Sequence, residues 1–131
     1  MADFKKLLVW QKAHALAVNT AKLAGKIRGP AHSSLRSQLV RAAMSVDANI
    51  AEGRAQKSQR EFLRYLNIAI NSACEVEAHL LMARDTDALP ATDCLQLLEQ
   101  MVEVRRMLYG LAKRVQASLN SPTDVTLAAR S

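Results

Sequence analysis

The chain has 131 residues and a formal net charge of +6; half of its residues are hydrophobic and only 4% are aromatic. This length fits one domain with its own core and leaves no room for a second. Apolar content built from Ala, Leu and Val favours packed helices over sheets, and no apolar stretch approaches the roughly 20 residues that span a bilayer. We therefore expect a soluble all-α protein without a membrane segment.

The N-terminal residues and the two cysteines bear on the compartment. Residues 1 to 6 lack the charged start, apolar run and cleavage site of a secretory signal. Cys74 and Cys94 have no second pair of cysteines beside them, which is typical of reduced thiols rather than of a disulfide framework. Together these features predict a cytoplasmic protein.

The first predicted helix covers about residues 9 to 27. Its apolar positions follow alternating steps of four and three, which place them on one helix face. These positions are Val9, Ala13, Leu16, Thr20, Leu23 and Ile27. Gly29 and Pro30 then interrupt the pattern and end the helix.

The second predicted helix covers about residues 34 to 53. Its apolar stripe consists of Leu35, Leu39, Ala42, Val46 and Ile50. Gly53 is expected to end the helix, because glycine tolerates the left-handed backbone of a helix terminus. Ser45, Asn49 and Glu52 form a polar line beside the stripe, and we expect them to bond to neighbouring helices because buried polar groups must be paired.

The third and fourth predicted helices cover about residues 58 to 85 and 91 to 119. Ser58 and Glu61 have capping-box spacing, in which each side chain accepts from the other residue's amide. The apolar stripe of the third helix is Phe62, Leu66, Ala69, Ala73, Val76, Leu80 and Ala83, and that of the fourth is Leu97, Met101, Val104, Leu108, Leu111 and Val115.

Four amphipathic segments with short connections predict an up-down-up-down antiparallel four-helix bundle over residues 1 to 119. Residues 120 to 131 are predicted to be a flexible tail. Leu63, Ile70 and Leu81 project beside the main stripe of the third helix, so a further packing partner is expected. We interpret that partner as another subunit.

Two charged residues lie within apolar arcs, Glu77 on the third helix and Arg105 on the fourth. A charge buried alone is costly, so each should meet an opposite charge inside the bundle or across a subunit contact. We interpret both as structural, together with the polar line of the second helix.

Positive charge is concentrated in the first half of the chain. Residues 1 to 64 carry twelve Lys and Arg against four acids, and the remaining residues carry six against eight. Lys57, Arg60 and Arg64 recur on one face of the third helix, with Arg54 just upstream. With Arg36 and Arg41 of the second helix they form the candidate nucleic-acid-binding set, although a solvated charged face is an alternative.

Patterns that carry catalysis or hold a cofactor are not found. The four glycines match neither a phosphate-binding loop nor a dinucleotide fingerprint. Glu75 and His79 have metal-ligand spacing but no companions, which favours an exposed surface pair. We expect no enzyme activity, no cofactor and no metal.

Several motifs together resemble the bacterial 23S rRNA intervening-sequence protein family. They are Leu8 to Ala13, the run Asn49-Ile50-Ala51-Glu52-Gly53, and Ser58 to Phe62, followed by matching positions through Leu81. The resemblance covers about residues 4 to 119. Asp47 and Asn71 depart from it, since the family often has proline and glycine at these positions.

The resemblance implies a four-helix bundle that assembles as a barrel-like homopentamer and has no enzyme activity. Some relatives are encoded within inserts in 23S rRNA genes. The family is also similar to the accessory variability protein of diversity-generating retroelements, a basic bundle that associates with a reverse transcriptase and nucleic acid. Departures at Asp47 and Asn71 would alter helix geometry and subunit packing in detail.

Two functions remain open on this basis. The first is an oligomeric protein that binds RNA or DNA non-specifically through its basic surface. The second is a protein-interaction scaffold whose partner is another protein, such as a reverse transcriptase or other polymerase-like enzyme, with positive charge steering the encounter.

Overall fold

The computed structural model describes residues 3–121, in which there are four α-helices, two short 3-10 helices and no β-strand. The α-helices are α1 (Leu8–Ala24), α2 (Ser33–Arg54), α3 (Gln59–Asp85) and α4 (Ala91–Leu119), and the 3-10 helices are Phe4–Lys6 and Pro30–His32. The all-α prediction is confirmed. From residue 122 onward, the predicted tail lies outside the described residues.

Each α-helix packs mainly against two others: α2 lies between α1 and α3, and α4 contacts both α3 and α1. Polar pairs mark the contact between α1 and α4. Lys12 Nζ lies 3.2 Å from Glu103 Oε1, and just beyond the end of α1 Lys26 Nζ lies 3.5 Å from Asp93 Oδ2. Residues further along the α1 segment therefore contact residues nearer the start of α4.

The predicted apolar stripes form the core. On α3 every predicted stripe residue is buried, from Phe62 to Ala83, and on the other helices only Leu23, Leu35 and Leu111 are half-buried. Ile70 is also buried within the chain, so it does not need the further subunit expected for it. None of the helices within residues 3–121 is both long and apolar enough to cross a bilayer.

Helix α1 ends at Ala24, three residues before its predicted end. Ile27 is nevertheless buried: it lies in the segment that follows α1, and its side chain is part of the core. Apolar spacing alone cannot separate a helical residue from a buried residue just beyond the helix. Gly29 has a φ of 90°, a left-handed conformation that only glycine adopts without strain, and Pro30 begins the next turn.

The predicted role of Gly53 is wrong: α2 continues to Arg54, and Gly53 is not in a left-handed conformation. Its position is instead determined by the close approach of α3. A Cβ atom added at Gly53 would lie 2.7 Å from the Tyr65 Cβ and 3.1 Å from Phe62 Cδ1. The absence of a side chain lets the two helices meet here.

The α3 N-terminus forms half of the predicted capping box. Ser58 Oγ accepts from the Glu61 amide at 3.1 Å, as predicted. The Glu61 carboxylate does not return to the Ser58 amide, because it accepts from Arg64 instead. The competing guanidinium offers a charge-assisted bond, which is stronger than a bond to a neutral amide.

Gly53→Ala is expected to lower the free energy of unfolding by about 1–3 kcal/mol, because the added methyl group meets the Cβ atom of Tyr65. This atom is attached directly to the backbone and cannot move aside as the end of a flexible side chain could. Gly110 provides the matched control. It lies inside α4, with only Arg114 Nη1 at 3.5 Å from an added Cβ, so Gly110→Ala should stabilise by up to about 1 kcal/mol. Chemical denaturation measures both, and equal effects would contradict the packing argument.

Candidate nucleic-acid interface

The end of α2 and the start of α3 enclose a cleft of about 170 Å³. Its lining residues are Gly53, Arg54, Gln56, Lys57, Ser58, Gln59 and Phe62. The connection between the helices is short and held by its own backbone, since the Gln56 amide donates to the Gly53 carbonyl at 3.1 Å. The cleft is therefore a direct product of the close α2–α3 contact at Gly53.

Arg54, the last residue of α2, lies against an aromatic ring in this cleft. Its guanidinium carbon is 5.6 Å from the centroid of the Phe62 ring, within cation–π range. Its Nε atom is buried and has no hydrogen-bond partner among the described residues. Arg54 therefore brings a cation into the cleft that no carboxylate of residues 3–121 neutralises.

The α3 N-terminus adds a second source of positive potential. The first amides of an α-helix have no intrahelical acceptor, and the helix dipole places partial positive charge at this end. At α3, Ser58 Oγ accepts only the Glu61 amide, so the cap leaves earlier amides of the first turn available. Anions are stabilised at such a position.

The three other basic candidates of this region differ in their position and in whether a carboxylate contacts them. Lys57 lies in the connection before α3 begins, not on the helix as predicted, and its side chain is exposed. Arg60 is exposed on the first turn of α3. Arg64 is also exposed, but both Nε and Nη2 contact Glu61 Oε2, at 3.1 and 3.0 Å.

Arg64 also lies over an aromatic ring, with its guanidinium carbon 4.6 Å from the Tyr65 ring centroid. The hydrogen bond that Arg64 donates to the Glu61 carboxylate raises the pKa of the Arg64 guanidinium. Because Glu61 already neutralises this cation, Arg64 contributes less net charge to the surface than Arg54, Lys57 or Arg60. We call Arg54, Lys57, Arg60 and Arg64 the junction cluster.

Arg36 and Arg41 are not brought together with the junction cluster. Arg36 is half-buried and its Nη1 donates to the Ile27 carbonyl at 2.9 Å, so it fastens the segment after α1. Arg41 is exposed but precedes Arg54 by 13 residues, which is about 20 Å along α2. Sequence position alone could not separate these two from the cluster.

The predicted polar line of α2 divides between a helix contact and solvent. Ser45 Oγ lies 2.8 Å from Ser72 Oγ on α3, and Asn49 Nδ2 donates to the Ser45 carbonyl at 2.8 Å and to its hydroxyl at 3.0 Å. The Glu52 side chain is exposed and joins neither group. Sequence reasoning missed Ser72, which is buried and completes the contact.

Glu77 and Arg105 meet each other across α3 and α4. Arg105 Nη1 donates to Glu77 Oε1 at 2.8 Å, and this bond raises the pKa of the Arg105 guanidinium. The pair is partly exposed, with 36% of the Glu77 side chain and 25% of the Arg105 side chain accessible. It is separate from the Ser45 contact, so the predicted network is two local contacts.

A third polar cluster joins α1 to α2 and escaped the sequence reasoning. Trp10 Nε1 donates to Asp47 Oδ1 at 2.6 Å, and His14 Nδ1 lies 2.6 Å from Asp47 Oδ2. The Trp10 and His14 rings stack, with centroids 4.8 Å apart and an interplanar angle of 18°. The i, i+4 spacing of Trp10 and His14 could have indicated that their rings meet, but Asp47, which contacts both, lies more than 30 residues away in the sequence.

Potential metal ligands are dispersed over the described part of the chain. No group of three or more His, Cys, Asp or Glu side chains converges within residues 3–121. Glu75 and His79 form no ion pair or hydrogen bond there, so the surface pair suggested by their spacing is not formed.

Comparison with known proteins identifies the family. The family model described as 23S rRNA-intervening sequence protein matches residues 5–110, most of the chain. The chain belongs to this family. The matched range includes α1 to α3, the junction cluster and most of α4, and the resemblance noted from the sequence motifs is therefore confirmed.

A solved structure extends the comparison to three dimensions. A Bacteroides thetaiotaomicron VPI-5482 protein of unknown function from the S23 ribosomal protein family is similar, with a TM-score of 0.76 and 24% identity. The alignment covers 81% of this chain and 99% of the other. No curated protein matches the sequence. At this identity the likeness supports the fold alone.

Glu77→Gln is expected to lower the free energy of unfolding by about 1 kcal/mol, because the bond loses its charge while water still reaches both side chains. Combining it with Arg105→Gln in a double-mutant cycle isolates the pair. Glu103→Gln, which breaks the more exposed pair with Lys12, is the control and should change stability by less. A coupling energy of zero for Glu77 and Arg105 would contradict this interpretation.

Proposed function

We propose that this protein is a non-enzymatic, oligomeric protein that binds nucleic acid non-specifically through the junction cluster. One observation carries the proposal: Arg54 and Lys57 line one cleft at a helix N-terminus, Arg60 is exposed on the adjacent first turn of α3, and none of the three has a carboxylate partner within residues 3–121. Unpaired cations and helix amides that converge in this way favour a phosphate.

The chemistry of the cleft supports contact with the nucleic-acid backbone rather than with base edges in a groove. Arginine can hold phosphate through two parallel N–H bonds, and lysine adds a point charge. Two side chains of a type that can read base edges, Gln56 and Gln59, line the cleft, but they lie at the connection and the first residue of α3 rather than along one helix face, and Gln56 Nε2 already donates to the Glu52 carbonyl at 3.1 Å. We therefore expect binding with little sequence preference and strong dependence on salt.

Oligomer formation is supported by an apolar face of α4. Leu95 is 57% exposed, and the half-buried Leu98 and Val102 lie beside it in an open depression of about 540 Å³. Glu99, Glu103 and Arg106 border these side chains. Apolar surface with a charged border is typical of a protein contact.

We further propose that the helices are arranged up-down-up-down and that the protomers form a homopentamer. Residues further along the α1 segment contact residues nearer the start of α4, which supports the antiparallel order. The number five rests on the family resemblance. A cytoplasmic location is also part of the proposal, supported by the free thiols of Cys74 and Cys94, which suit a reducing compartment.

A protein-interaction scaffold is the second candidate function. The exposed apolar face of α4 favours it, because the same side chains could contact a different protein, such as a polymerase-like enzyme. In that case the positive charge would steer association rather than hold phosphate.

Replacing Lys57 and Arg60 together by Gln is expected to weaken binding to RNA and DNA about equally for all sequences. The slope of log affinity against log salt should become shallower by about two, one for each lost phosphate contact. Fluorescence anisotropy of labelled strands over a salt series measures both quantities.

The matched control for this variant replaces Lys22 and Arg114 by Gln. It removes the same charge from exposed positions of α1 and α4, outside the junction cluster. Its salt slope should stay close to that of the unaltered protein. Equal losses in the two variants would mean that net charge, and not the cluster, governs binding, and sequence-selective loss would contradict backbone contact.

Leu95→Glu is expected to reduce the oligomer to smaller species, because it places a charge on the proposed contact face. Met82→Glu is the control, since Met82 is similarly exposed at 55% but lies on α3. Light scattering gives the mass of each variant. A monomeric unaltered protein, or an oligomer that Leu95→Glu leaves intact, would overturn this part of the proposal.

A further inference from the structure

Three rings form a short stack on the α1 side of the molecule. Phe4 meets Trp10 edge to face, with centroids 5.0 Å apart and planes inclined by 72°. Trp10 in turn stacks on His14. Since 52% of the His14 side chain is exposed, this imidazole is the outer, accessible end of the stack.

Asp47 fixes the orientation of the Trp10 and His14 rings. One carboxylate oxygen accepts the indole N–H, and the other lies in hydrogen-bond contact with His14 Nδ1. The Asp47 side chain is only 19% exposed, so its charge is directed mainly at these two groups. The bond at Nδ1 leaves the Nε2 edge of the imidazole unoccupied by any described residue.

This arrangement lies on the same side of α2 as Arg54. Arg54 follows Asp47 by seven residues, which is two helical turns and about 10 Å on one helix face. The 3-10 helix Phe4–Lys6 packs against both α1 and α2, so it continues the same surface. A strand that contacts the rings and the junction cluster at once would follow this face of α2 and then reach the Arg54 guanidinium, which lies against Phe62 of α3.

From this geometry we infer that Trp10, His14 and Asp47 form a stacking platform for an unpaired nucleobase, and that the nucleic-acid ligand of this protein is single-stranded. The inference rests on the proposed function, since the phosphates of the same strand lie at the junction cluster. Bases stack on aromatic side chains, including histidine, only where they are not enclosed in a duplex.

The platform supplies what the junction cluster lacks. Cations alone do not distinguish single from double strands, whereas a ring already held in place by Asp47 loses little freedom when a base stacks on it. The Asp47 carboxylate keeps its charge, so the phosphates of a bound strand are expected to lie at the junction cluster rather than beside the platform.

The test compares an oligothymidylate with an abasic strand of the same length and charge, using the full chain. The unaltered protein should bind the intact strand about fivefold more tightly or better, since stacking contributes in the intact strand only. His14→Ala should bring this ratio close to one by weakening the intact strand alone. His79→Ala, a half-buried histidine on α3, is the matched control and should leave the ratio unchanged.

Trp10 gives a second measurement, because it is the only tryptophan in the sequence. Its emission should change when the intact strand is added and stay constant with the abasic strand. A duplex of the same sequence should leave the emission constant as well.

Each contrary result has a distinct meaning. Equal affinities for intact and abasic strands, with binding that still depends on Lys57 and Arg60, would overturn the platform and leave the proposed function standing. Preference for the duplex would overturn the single-strand inference in the same way. If neither strand binds at low salt, both the platform and the proposed function are overturned. If the Lys57→Gln and Arg60→Gln variant keeps both the preference for the intact strand and the salt slope of the unaltered protein, only the junction cluster is overturned.

Discussion

Helices α2 and α3 approach so closely at Gly53 that a single added carbon atom would lie 2.7 Å from the Tyr65 Cβ. Much of the structure depends on this contact. It brings the last residue of α2 beside the first turn of α3 and so creates the cleft that holds Arg54 against Phe62. Further along the same pair of helices, the hydroxyls of Ser45 and Ser72 meet at 2.8 Å, a distance that small side chains permit.

Local partners, rather than the total number of basic residues, decide how much positive charge is available at each part of the surface. Carboxylates of Glu61 and Glu77 hold Arg64 and Arg105, and a backbone carbonyl holds Arg36. Exposed pairs of this kind stabilise a fold only slightly, but each removes a cation from the surface available to a ligand. Among the cations without a carboxylate partner, Arg54 and Lys57 line one cleft and Arg60 lies on the adjacent helix turn, which is why the proposed contact is placed where α2 meets α3.

The likeness to the Bacteroides thetaiotaomicron protein concerns the fold, and details of this chain lie outside it. Asp47 stands where the family resemblance leads one to expect proline, and proline could neither accept from Trp10 nor contact His14. The contact of the Trp10 and His14 rings with α2 therefore depends on the carboxylate of Asp47. A shared four-helix framework thus leaves room for a surface specific to one member.

The sequence by itself determined the four helices, their buried stripes and the bond at the start of α3, because periodicity and capping are local and act over a few residues. It also located the basic residues near Arg54, and it was wrong about the end of α1 and the role of Gly53. Only the tertiary structure decided which cations stay unpaired and which rings meet. Arg36 reaches Ile27, Asp47 joins Trp10 to His14, and Ser45 meets Ser72 through contacts between separate segments. Such partners depend on how helix faces turn toward each other, and no local pattern specifies that.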